Sequence, residues 1–220
     1  RKQELYIDLI TKVNDISVTY RTSGEIIFKD NTKLELEDDF SWNGRYYVYG
    51  YGKFQGSRTQ LESAITLAYD TYGTVVDSNS KLVWKRYKST QASIDGIVPV
   101  TSGDSITNAV AAVSNYLGAD FNAVSYMEQG HTAVETFDNI RGVHGISLTG
   151  ITYEKALSYV GDGSPVIARI GEDEYIIITA YNSSEIAYIE SSSGSVKTMS
   201  MNDAGKMFSQ GGNIYVTYYK

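Results

Sequence analysis

Two stretches decide the fold: Gly103-Asp104-Ser105-Ile106-Thr107-Asn108-Ala109-Val110-Ala111-Ala112-Val113-Ser114-Asn115-Tyr116-Leu117-Gly118 and Glu174-Tyr175-Ile176-Ile177-Ile178-Thr179-Ala180-Tyr181. In the first, Ile106, Ala109, Val110, Val113, Tyr116 and Leu117 recur at helical spacing and form one apolar stripe. Asp104 or Ser105 supplies the N-cap, and Gly118 supplies the stop. The second stretch is an apolar strand, followed across Asn182-Ser183-Ser184 by a second strand at 185–190. Short helices are expected at 123–129 and 132–138. Further on, a helix at 153–159 leads through Gly161-Asp162-Gly163 into a strand at 165–170. A short strand near Val196, a helix at 201–208 and a strand at 213–219 close the chain. Helices first and an antiparallel meander afterwards make an α+β pattern.

Working back toward the start, short strands are expected at 16–20, 25–28 and 33–37, separated by Ser23-Gly24 and Asp30-Asn31. A fourth, at 45–51, alternates Tyr46, Val48 and Gly50 with Tyr47, Tyr49 and Tyr51. A helix at 59–71 carries Leu61, Ala64, Ile65 and Ala68 on one face, and two strands at 74–77 and 81–85 follow Gly73. Residues 87–96 are polar and aperiodic, which places a boundary there. The expected domains are therefore 1–90, a strand-rich β-α-β-β unit, and 91–220.

Composition narrows the function. The 220 residues are 42% hydrophobic and 20% charged, an ordinary globular balance. The net charge is −7 without a basic cluster, so a nucleic-acid backbone would be repelled. No apolar run approaches the ~20 residues of a bilayer span. There is no cysteine, hence no disulfide, no thiolate nucleophile and no cysteine metal site. His131 and His144 are the only histidines, so a zinc site would have to lean on carboxylates, and no cofactor is expected. Asp77-Ser78-Asn79-Ser80 and Asp162-Gly163 lack the further acidic ligands of a calcium loop and read as turns. The chain opens at Arg1 and reads as a mature product or a piece of something longer.

The residues from about Ile97 to Lys220 resemble the papain-like leader peptidases that cut after double glycines in bacteriocin precursors. In that family an Asp-Cys-Gly opens the first helix, and Ser105 stands at the cysteine. The family's strand begins His-Tyr, and Glu174 stands at the histidine. Ile189-Glu190-Ser191 falls where the family has Asp-Pro, so Glu190 replaces the orienting aspartate. The oxyanion glutamine would fall near Pro99, and no glutamine lies closer than Gln91. Gly150 to Gly194 and the helix at 201–208 also look like the tail of cysteine-peptidase-like domains in clostridial surface proteins. The first domain is faintly similar to sporulation-related repeats that hold cell-wall glycan. The resemblance implies an α+β, papain-like second domain in a bacterial secreted or cell-surface protein.

The replacements remove peptidase chemistry. A papain-type thiolate is stabilised by the helix dipole and a neighbouring imidazolium, and a serine hydroxyl gains almost nothing from either. It needs a general base, and carboxylic acids that titrate near pH 4 serve poorly at neutral pH. Loss of one oxyanion donor alone typically costs ~10²–10³ in rate. A single engineered Cys→Ser change would account for Ser105 but not for Glu174, Glu190 and Pro99. The expectation is a non-catalytic pseudopeptidase, with extended peptides or cell-wall glycan as ligand classes. Ser105, Thr107, Glu174, Tyr175, Tyr181 and Glu190 are the candidate binding residues. The alternative is an acid-type serine hydrolase using Ser105 with Glu174 and Glu190. For Ser105 the plain structural reading is a helix cap. The geometric expectation is that Ile106, Val110 and Val113 pack on a sheet carrying Ile176, Ile178 and Ile189, with Ser105 facing the start of the Glu174 strand.

Overall fold

The computed structural model describes residues 18–22, 25–28 and 33–35 by their backbone, and residues 46–87 and 89–220 with side chains. Both expected turns, Ser23-Gly24 and Asp30-Asn31, lie outside the described residues, as do residues 16–17, 36–37 and 45 of the expected strands. The chain divides into two units, Arg1–Val83 and Trp84–Lys220.

In the first unit, β1 (Val18–Thr22), β2 (Glu25–Phe28) and β3 (Lys33–Glu35) form an antiparallel sheet in sequential order. A second sheet contains β4 (Tyr46–Gly50), β5 (Lys53–Arg58), β6 (Thr74–Val76) and β7 (Leu82–Lys85), ordered β5-β4-β6-β7. Helix α1 (Leu61–Asp70) buries Leu61, Ala64, Ile65 and Ala68, the face its 3.6-residue periodicity selects. Strand β5 has no counterpart in the sequence reading. Its Lys-Phe-Gln-Gly-Ser-Arg lacks a period-2 apolar pattern, and its pairing with β4 supplies what the side chains do not.

The division falls at Val83/Trp84 and not in the 87–96 stretch. Trp84 Nε1 donates to the Lys155 carbonyl at 3.0 Å, and Lys85 pairs with Asp162. Tyr87 lies against Gly161 so closely that a Cβ there would have no room. Residues after Val83 are thus tied to the second unit, and residues 92–93 form β8 (Ala92–Ser93) against the strand at Tyr175–Tyr181.

The second unit is a sheet covered on both faces. Its elements are α2 (Ser105–Tyr116), α3 (Ala123–Glu128), α4 (Ala133–Asp138), β9 (His144–Thr149) and α5 (Tyr153–Gly161). Then come β10 (Val166–Arg169), β11 (Tyr175–Tyr181), β12 (Glu185–Glu190), β13 (Val196–Ser200), α6 (Met201–Gln210) and β14 (Ile214–Tyr219). The order is β13-β12-β11-β10-β14-β9, antiparallel throughout, with β8 on β11 beyond the end of β10. Val110 and Val113 of α2 pack with Phe137 and Ile140 against Ile167, Ile177, Ile189, Val216 and Tyr218.

The expected helix-to-sheet packing is half right. Val110, Val113 and Ile189 meet as expected, but Ile177 holds the central place. Ile176 and Ile178 are one residue out of step and face the opposite layer, where α5 lies against β11. All three isoleucines are buried, so the run carries no alternation from which to choose a face. Phe137 is wholly buried and meets Tyr218 edge-on at 5.8 Å. Phe137→Ala should destabilise this unit by about 3–5 kcal/mol in urea unfolding.

Candidate functional site

The first turn of α2 is where the resemblance aligns the catalytic cysteine of the leader peptidases. Asp104, not Ser105, is the N-cap: its carboxylate accepts from the Thr107 N–H at 2.9 Å. Ser105 is therefore the first helical residue, with its side chain free to reach across to β11. It does so twice at one residue. Ser105 Oγ accepts from the Tyr175 N–H at 2.8 Å and donates to the Tyr175 carbonyl at 3.2 Å. The expected encounter of Ser105 with the start of the Glu174 strand is present, made through backbone.

Two residues that the sequence reading passed over complete the junction. Asn108, 3% exposed, donates from Nδ2 to the carbonyls of Gly103 (2.8 Å) and Ser191 (3.2 Å). Its Oδ1 accepts from the Gly103 N–H at 2.8 Å. Ser191 in turn donates its N–H to the Tyr175 carbonyl at 3.3 Å. Asn108 sits on the buried side of the helix, and only its burial distinguishes it from an ordinary polar helix residue.

The six candidate residues do not form one surface. Ser105, Glu174 and Tyr175 are together at the start of β11, with Glu174 exposed. Thr107 is buried, its methyl under Gly103, and does not line a cleft. Tyr181 is at the far end of the strand, ~20 Å from Tyr175 at 3.3 Å per residue. There it lines a groove of about 510 Å³ with Gln91, Ala92, Ser93, Asn182 and Glu185. Burial, and then the Tyr87 phenol, raises the Tyr181 pKa above its ordinary value.

Glu190 is in step with Tyr188 on β12, so it points to the face opposite Ile189 and α2. Its carboxylate accepts from Lys197 Nζ at 2.8 Å and from Ser193 Oγ at 2.6 Å. Those two hydrogen bonds, Lys197 first, hold Glu190 below the usual carboxylate range, and Glu190 raises Lys197. The lysine is available because β13 brings Lys197 opposite Tyr188.

Pro99, near which the resemblance would put the oxyanion glutamine, packs toward Gly194 in the turn after β12, where a Cβ would stand 2.9 Å from its ring. Ile97 and Val100 on either side of it rest on the α2 core. His131 stacks on Tyr126 at 3.8 Å and His144 on Tyr219 at 5.0 Å, each apart from the α2 junction. Asp77 Oδ1 closes its own turn by accepting from the N–H groups of Asn79 and Lys81. Among the described residues no group of three or more His, Asp or Glu could hold a metal, and no helix is long and apolar enough to cross a membrane.

The N-terminus of α2 meets the start of β11, and α2 and α5 both lie against that strand, an α+β arrangement. Among solved structures, the chain is similar to a Bacillus anthracis protein described provisionally as a C39-like peptidase. The TM-score is 0.50 at 11% identity, over 60% of this chain and 98% of that one. That likeness shows the fold, a C39-like, papain-type one. No family model matches the chain, and no curated protein does.

Two measurements check this geometry. Asn108→Ala removes the side-chain partner of three backbone groups, the Gly103 N–H and carbonyl and the Ser191 carbonyl, and should cost about 2–4 kcal/mol in urea unfolding. The Glu190–Lys197 pair gives stability with a definite pH window. A lowered Glu190 contributes above its unfolded value and loses this as pH falls through the folded one. A raised Lys197 contributes until pH climbs through its folded value. An NMR titration of the Glu190 carboxyl should therefore show a midpoint below the ordinary range, moving back toward it in Lys197→Met, where the Ser193 bond remains.

Proposed function

We propose that the Trp84–Lys220 unit is a non-catalytic module derived from a peptidase, belonging to a bacterial secreted or cell-surface protein. The observation that carries this is the engagement of Ser105. Its hydroxyl proton and an acceptor lone pair are both committed to the backbone of Tyr175, so it is a structural cross-link between helix and strand. A serine nucleophile needs a base in hydrogen-bond reach, and this hydroxyl has none among its bonds. Glu190 faces away from α2 and is bonded there to Lys197 and Ser193. The lack of cysteine fits a chain exported by an organism that avoids secreted thiols.

The retained use is recognition of an extended, cationic peptide. Glu172, Asp173 and Glu174 are consecutive and exposed at the turn into β11, beside Ser105 and Tyr175. Their charges attract basic ligands and weaken their hold as salt rises. The sharpest test is cleavage of a peptide library from about pH 4 to pH 8 by wild type and Ser105→Ala. The two should be equally inactive, and Ser105-dependent cleavage near pH 4 would establish the acid-type hydrolase instead. Binding of Lys-rich peptides should weaken several-fold in Glu172→Gln/Glu174→Gln. Failure of wild type to bind at millimolar peptide would make the unit a spacer.

A further inference from the structure

The large sheet of the second unit ends at β13 on one side and at β9 on the other. The two edges are finished differently. On β9, α4 lies against the strand, and Asp138 accepts from the Gly145 N–H at 2.8 Å, so part of that edge is already taken. On β13, Val196-Lys197-Thr198-Met199-Ser200 pairs with β12 in unbroken register, without proline or bulge. Proteins ordinarily guard an edge strand with such breaks or with a free lysine. Lys197 is no such guard, because Glu190 on its own sheet holds its ammonium at 2.8 Å.

The direction in which the β13 backbone points follows from the bonds at its two ends. Glu190 N–H bonds the Ser195 carbonyl, and Met201 N–H bonds that of Ser184, each at 2.9 Å. Bonded pairs recur every second residue in an antiparallel ladder, so Lys197 and Met199 also turn their peptide groups toward β12. Val196, Thr198 and Ser200 turn theirs outward. Among the described residues, no backbone group bonds those of Val196 or Thr198 there. Val196, paired with Ile189, is 72% exposed, more than any other large hydrophobic side chain among the described residues.

We infer that β13 pairs with β13 of a second copy of this chain, antiparallel about a two-fold axis at Thr198, joining two sheets into one. The strand is complementary to itself. Its middle residue turns outward, so the axis sets Thr198 opposite the copy's Thr198 and Val196 opposite the copy's Ser200. Two hydrogen bonds join the Thr198 peptides, and one at each end runs from a Ser200 N–H to a Val196 carbonyl. The Ser200 carbonyl itself is committed to α6, which Ser200 caps. Charge fits the same arrangement. Lys197 lies across from the copy's Met199, and each Lys197 keeps its own Glu190, so no like charges stand directly opposite. A cationic peptide, which the exposed Glu172, Asp173 and Glu174 would attract, finds no carboxylate among the β13 side chains. Four bonds and two valines make a small contact, so the dimer is weak. The inference makes no use of Ser105, and its test is independent of the pseudopeptidase reading.

The test follows the whole 220-residue chain by sedimentation velocity and amide hydrogen exchange from about 5 to 500 μM, the range of a weak contact. A monomer–dimer equilibrium should appear with a Kd of about 10–100 μM, and the Val196 and Thr198 amides should gain protection as concentration rises. Thr198→Lys sets two like charges across the axis and should weaken the dimer about tenfold, with the melting temperature of the monomer unchanged because Thr198 is exposed. Since the chain has no cysteine, Thr198→Cys adds a single thiol. Cα atoms of a hydrogen-bonded pair stand ~5.5 Å apart, within a disulfide's reach. Diamide should therefore cross-link Thr198→Cys into a dimer and leave Gln129→Cys, exposed at the end of α3, monomeric. A chain that stays monomeric at about 500 μM overturns the inference. So does a dimer that Thr198→Lys leaves as tight as wild type, equal cross-linking of the two cysteine variants, or protection of the β13 amides by a Lys-rich peptide while the chain stays monomeric.

Discussion

The constraint on which the second unit depends is a buried side-chain amide. Asn108 lies inside the first two turns of α2, and its donor and acceptor have no access to water. An unpaired buried amide costs enough to select the fold around it, so both ends must find partners. They find them in Gly103 on one side and the chain just past β12 on the other. Gly103 fits because a Cβ there would press within 2.8 Å of the Thr107 methyl. With Ser105 gripping Tyr175 three residues earlier in the helix, the α2 layer is registered on two adjacent strands by polar bonds. The apolar contacts of Val110, Val113 and Ile177 then fill a space whose geometry is already set.

That arrangement explains how far the sequence could be read. The stripe from Ile106 to Leu117 and its glycine stop show a helix by period alone, and α2 ends one residue short of that reading. The isoleucine run shows a strand but not its facing, because both sheet faces are covered. Strand β8 is two residues long and exists through its bonds to Ala180 and Tyr181, a long-range fact that no local pattern records. Asn108 was invisible as a site residue for a related reason. A mid-helix asparagine looks solvated until the chain after β12, 83 residues on, is known to lie against it. The encounter of Ser105 with the start of β11 was legible through the resemblance, while its partner, a backbone peptide rather than a side chain, was not.

A thiolate at a helix N-terminus is useful because its proton is gone and its lone pairs face a substrate. The serine here has the same position and the opposite use. Its hydroxyl is turned inward onto the strand, where a base's imidazole would otherwise be oriented, and the strand's first acidic side chain, Glu174, is turned out to solvent. Lys197 takes up Glu190 at the end of the neighbouring strand. The polar junction holds the fold together, and the Ser105 hydroxyl is part of that junction.

The most direct measurement of that claim is the reactivity of the Ser105 hydroxyl itself. The whole chain would be incubated with a fluorophosphonate, which phosphonylates activated serines, from about pH 4 to pH 8 and followed by intact mass and peptide mapping. A hydroxyl bonded on both sides to Tyr175 and lacking a base should give no Ser105 adduct at any pH in that range. A stoichiometric, Ser105-specific adduct would contradict the account.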